Sequence, residues 1–209
     1  MDDDAGDDDR LLARLVHVPD QVDAWAWRAR VALWLGLAAW GVALARLDLA
    51  SGAIGGSFLH GPLLVFHEAG HVLFAFLGEW MRVAGGTLGQ LAMPAVLGVA
   101  LLTRNRDPFG ASVALWLLGV SLLDVAPYAY DALHPQLVLL SGATGEEGGH
   151  DWIYLLESLH LRARAQSIGR ALHGLGALVV LIAMAWGGWL LLRQRANVAG
   201  HVQIDLHDD

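Results

Sequence analysis

Uncharged apolar runs recur along this chain and constrain its fold more than any other feature: 31–45, 58–78, 83–103, 108–123 and 171–192 carry one charge between them, Glu68. Crossing a hydrocarbon core of about 30 Å takes roughly 20 apolar residues in a helix. With 56% hydrophobic and 16% charged residues among 209, and a mean hydropathy of +0.47, the chain is too apolar for a soluble domain of its size. The pattern predicts an all-α integral membrane protein with four to five transmembrane helices in one domain, residues 23–195. Arg28, Arg30 and Arg46 flank the first run and can snorkel, while Trp25, Trp27, Trp80 and Trp189 near run ends suit the membrane interface.

The ends read differently. Residues 1–22 form an acidic tail, with six aspartates between positions 2 and 9, followed by a short surface segment over 10–17 that ends at Pro19. Such a tail is expected to be disordered. Together with the net charge of −8, it argues against a nucleic-acid partner. An acidic start lacks the basic and apolar parts of a signal peptide, so the first span is expected to remain in the mature protein. Residues 196–209 form a polar tail. Cysteine is absent, which leaves imidazole and carboxylate as the plausible metal ligands.

Between the first and second runs lies a Gly/Ser turn, 51–57, leading to a helix over about 58–79. The stretch 83–94 is uncharged yet contains Gly85, Gly86, Gly89 and Pro94. It reads either as a re-entrant segment lining a substrate groove or as a kinked span, and the distribution of arginines leans to re-entry with the N-terminus cytoplasmic. After the fourth run, Asp124, Tyr128 and Asp131 share a face if the helix continues past Pro127; that face is either a network supporting metal ligands or the wet end of a helix. A polar loop, 141–149, precedes a short amphipathic helix from His150 to about residue 161, with Asp151 as a natural N-cap.

Within the second run, His67-Glu68-Ala69-Gly70-His71 spells H-E-x-x-H. Residues four apart share a helix face, so His67 and His71 can offer two imidazoles to one Zn2+ while Glu68 stands beside them as a base. Ionisable groups inside an apolar segment are costly, and here three fall within five positions near the middle of the run. A catalytic zinc takes a third protein ligand. The candidates are Asp124, Asp131, His134, His150, Asp151, Glu157 and His160, with Asp151 favoured for its loop-to-helix position and His150 and Asp124 as the alternatives. His60 reads as an interfacial histidine at the start of the motif helix, and His173 as a packed or interfacial one.

The membrane-embedded motif resembles the site-two protease class of intramembrane zinc metalloproteases. The wider pattern is similar to small bacterial membrane proteins classed with them, through 66–71, 85–91, 122–128, Asp131-Ala132 and His150-Asp151-Trp152, covering about 58–160. The resemblance implies that His67 and His71 bind zinc, that Glu68 activates the zinc-bound water, and that a later aspartate completes the site. It implies that Gly85, Gly86, Gln90, Tyr128 and Asp131 line the substrate path or support the ligands, and that the protein sits in a bacterial cytoplasmic membrane. The family's Asp-Gly motif is absent; His150-Asp151-Trp152 stands in a comparable place. The expected function is zinc-dependent cleavage of a membrane-embedded peptide or protein substrate; the alternative is a metal-binding membrane protein, such as a regulator, chaperone or metal carrier, without proteolysis.

Overall fold

The computed structural model describes residues 12–198. The acidic stretch 2–9 and most of the polar C-terminal tail lie outside the described residues. Within them the chain is helical, with six main helices: α1 (Ala24–Ala45), α2 (His60–Phe74), α3 (Glu79–Thr103), α4 (Pro108–Asp131), α5 (Asp151–Ser158) and α6 (Ala165–Arg195). Aspartate caps start two of the long ones. Asp23 accepts a hydrogen bond from the Ala26 N–H at 2.8 Å, and Asp107 accepts from Gly110 at 3.0 Å with Pro108 in the first turn.

Four helices, α1, α3, α4 and α6, are long and apolar enough to cross a membrane. The motif helix α2 is shorter, 15 residues or about 22 Å at 1.5 Å per residue, and closes in a 3-10 turn, Ala75–Leu77. The run 58–78 is therefore not one regular span. α4 is the central helix, with 72% of its apolar window buried against 17% in α1 and 22% in α3. Leu37, Leu63, Trp116, Leu123 and Val180 form the core around it. The indoles of Trp27 and Trp34 tie α1 to α6 by donating to the backbone carbonyls of Leu191 and Met184 at 3.1 and 2.9 Å.

The re-entrant reading of the glycine-rich segment is corrected by the structure. α3 runs as one helix through Gly85, Gly86, Gly89 and Pro94. The glycines serve close approach: a Cβ on Gly85 would lie 2.6 Å from the Gly70 carbonyl oxygen, and one on Gly89 would lie 2.7 Å from the Gly70 Cα. Glycine at these positions thus lets α2 and α3 touch backbone to backbone, as small residues do between membrane helices. α4 likewise continues past Pro127, keeping Asp124, Tyr128 and Asp131 on one helix.

Candidate metal centre

His67 and His71 point from α2 toward α3, with ring centroids 4.9 Å apart. Directly opposite stands Gly86. A Cβ there would lie 2.5 Å from His67 Nε2 and 2.7 Å from His71 Nε2, so the missing side chain leaves the room in front of both nitrogens.

Hydrogen bonds fix which nitrogen of each ring is free. His71 Nδ1 lies 2.9 Å from the Arg82 backbone carbonyl; a carbonyl only accepts, so Nδ1 carries the proton and Nε2 presents its lone pair. His67 Nδ1 lies 3.2 Å from Gln90 Oε1. The Gln90 amide is oriented in turn because its Nε2 donates to Asp124 Oδ2 at 2.9 Å. His67 therefore also holds its proton on Nδ1.

The third group comes from the start of α5. Asp151 Oδ2 lies 3.0 Å from His67 Nε2 and 3.3 Å from His71 Nε2. Three lone-pair atoms meeting this closely repel one another unless a proton or a cation lies among them. Two imidazole nitrogens and a carboxylate oxygen are a donor set that suits Zn2+. A Glu68 oxygen also lies within 4.8 Å of both histidines' ligand atoms; Asp151 comes closer to both, which makes it the better-placed third candidate, with Glu68 an exposed carboxylate beside the site.

A polar layer backs these groups. Asp124, buried on α4, links Gln90 to His60, whose Nδ1 lies 2.9 Å from Asp124 Oδ1. The order His60, Asp124, Gln90, His67 is thus a continuous hydrogen-bonded row, the kind of outer support that fixes a ligand's tautomer and orientation. On the other side, the Tyr128 hydroxyl accepts from the Asp151 N–H at 2.9 Å and its ring stacks on His150 at 4.2 Å. His67, His71, Gln90, Asp124 and Asp151 line a cavity of about 550 Å³. Residues Leu137 to Leu140 form one apolar wall, and Glu68, His60 and Tyr128 also face it. Gln90 stands 11 residues from the start of α3 and Asp124 7 residues from the end of α4, so the site lies roughly 10–16 Å in from the α5 end of the bundle.

Asp151 is brought to the histidine pair, and two expectations about its surroundings change. The α5 N-cap is His150, whose side chain accepts from the Ile153 N–H, while Asp151 is the first helical residue. Its carboxylate is thereby released from capping. His150, an alternative ligand by sequence, turns away: Nδ1 is used by the cap and Nε2 faces Asp131 Oδ2 at 3.4 Å, too poorly aligned for a hydrogen bond. Burial holds its pKa below the usual histidine range despite the neighbouring carboxylates. Asp124, the other alternative, is occupied by His60 and Gln90.

Other candidates sit elsewhere. Asp131 does not line the cavity; it accepts from the Gln136 and Leu137 N–H groups at 2.8 and 3.2 Å and so anchors the loop that walls it. Gly85 serves the α2–α3 contact, not a groove. Glu157 pairs with Arg162, and His173 Nε2 donates to the Ala45 carbonyl at 3.0 Å as a packing histidine. His60 is the residue that sequence reading undervalued: it lies seven positions before His67, two turns along the same face. Comparisons with protein-family models, with curated proteins and with solved structures return no match to this chain.

Proposed function

We propose that this chain is a zinc-dependent endopeptidase embedded in a membrane, cutting a peptide bond of a membrane-embedded substrate. The observation that carries the reading is the convergence of His67 Nε2, His71 Nε2 and Asp151 Oδ2, all with free lone pairs, on a space kept open by Gly86. The membrane part rests on the four long apolar helices and on outward-facing apolar side chains such as Val65 and Val72 on α2, Phe76 in the turn that follows it, Val96 and Val99 on α3, and Leu181 and Ile182 on α6.

Zinc, when bound, supplies a Lewis acid that polarises the scissile carbonyl and makes water a nucleophile near neutral pH. The remaining work falls to side chains of this chain. Glu68 takes a proton from the attacking water and returns it to the leaving amine. Gln90 and Asp124 hold His67 in its metal-binding tautomer. Gln90 has both ends of its amide engaged and His150 faces Asp131, so Tyr128, whose oxygen accepts one bond and keeps its own proton to donate, is the group placed to stabilise the oxyanion. The apolar wall at Leu137–Leu140 receives a hydrophobic peptide and restricts bulk water.

The test compares wild type with Glu68→Gln, both purified in detergent and reconstituted with zinc, on a panel of membrane-spanning peptides. Cleavage by wild type and a loss of about 1,000-fold or more in the variant, with zinc retained, is expected. Equal cleavage by both would show that Glu68 is not the base, and no cleavage by wild type on any peptide would favour a non-proteolytic metal protein.

A further inference from the structure

A second cavity, about 490 Å³, lies at the opposite end of the bundle from the metal centre. Its walls come from four parts of the chain: Arg30 of α1, Asn105 to Asp107 in the α3–α4 turn, Gln194 of α6, and His17 with Pro19 from the segment before α1. That segment is clamped in place, since the Trp186 indole donates to the Leu15 carbonyl at 3.0 Å and the Asn197 amide to the Pro19 carbonyl at 2.8 Å.

One of the two cations lining this cavity, Arg30, is held in place. Arg30 donates through Nη1 to Oε1 of Gln194 at 3.1 Å, and Gln194 is only 2% exposed. The same guanidinium rests 5.6 Å from the centroid of the Phe109 ring. One of its five N–H donors is thus used and the planar fork is held against the cavity. Arg106 joins it from a left-handed backbone conformation, φ 51°, which a side-chain-bearing residue seldom adopts. Among the described residues neither arginine forms an ion pair. The one carboxylate in the lining, Asp107, caps α4 through Oδ1.

Two guanidiniums against one carboxylate, which has one oxygen engaged in the α4 cap, with a histidine and an asparagine beside them, form a cleft for a tetrahedral anion. We infer that this cavity binds a phosphate group, through bidentate contacts from Arg30 and Arg106 supported by His17 and Asn105. The phosphate belongs either to an anionic phospholipid headgroup, for which a basic cleft between helix ends is well placed, or to a free phosphate ion. This site shares no lining residue with the metal centre and is independent of its chemistry.

The experiment uses the full chain in nanodiscs of zwitterionic phosphatidylcholine. One arm titrates inorganic phosphate by calorimetry; the other adds phosphatidylglycerol and counts retained lipid by native mass spectrometry. Wild type is compared with Arg106→Gln, which leaves the Arg30–Gln194 contact intact, and with Arg30→Gln; circular dichroism and size-exclusion elution check folding. Binding in either arm that weakens about tenfold or more in folded Arg106→Gln supports the site, and the arm that binds names the source. Absence of binding in both arms, or binding unchanged in Arg106→Gln, overturns it.

Discussion

The Asp151 carboxylate lies 3.0 Å from His67 Nε2, although 84 residues separate the two in sequence. The α5 start delivers it there because His150 performs the capping and the Tyr128 hydroxyl fixes the Asp151 N–H. The geometry assigns distinct duties to neighbouring residues, and each duty can be tested alone.

Gly86→Ala is expected to leave the chain helical while weakening zinc affinity by on the order of 100-fold or more, because the new methyl would stand 2.5 Å from His67 Nε2 and displace the two imidazole nitrogens proposed to hold zinc. Competition with a chelating dye measures it. Unchanged affinity would mean that the metal sits elsewhere.

Gln90→Leu removes the acceptor for His67 Nδ1 and the donor to Asp124 together. Loss of such outer support lowers metal affinity by about 10- to 100-fold. The same dye titration checks this, with zinc still binding at saturation. Wild-type affinity in the variant would remove the row from His60 to His67 from any role in holding the ligand.

His150→Ala is expected to destabilise the fold by about 1–3 kcal/mol through loss of the α5 cap and of the buried ring stacked on Tyr128. Zinc remains bound. Denaturant unfolding and elemental analysis on one preparation separate the two effects; loss of zinc from a folded variant would make His150 a ligand.

Asp131→Ala frees the Gln136 and Leu137 N–H groups. Loss of these bonds to a charged acceptor costs about 1.5–3 kcal/mol each, so amide hydrogen exchange over 136–141 should quicken by about tenfold or more while α4 stays protected. Unaltered exchange in that loop would show that Asp131 does not anchor it.

Much of this was legible in the sequence because it is carried by local spacing. Charge-free runs gave the long helices, and the i, i+4 placement of His67 and His71 gave the shared face. What misled was chemistry that depends on partners. Gly85, Gly86, Gly89 and Pro94 read as a broken helix because glycine and proline lower helix propensity, yet the neighbouring α2 uses those glycines for contact and the helix survives. His150-Asp151 read with the aspartate as cap, since aspartate is the stronger capping type; that His150 takes the cap and Asp151 faces the histidine pair is a tertiary arrangement that local sequence does not carry. His60 reads as interfacial from its position alone, because its partner, Asp124, stands 64 residues away in sequence.

Zinc content per chain, measured by elemental analysis on detergent-purified wild type, Asp151→Asn and Asp124→Asn, tests the central claim most directly. About one zinc in wild type, retained in Asp124→Asn and lost in Asp151→Asn, is the predicted result. Wild type without stoichiometric zinc, or Asp151→Asn with its zinc intact, would contradict it.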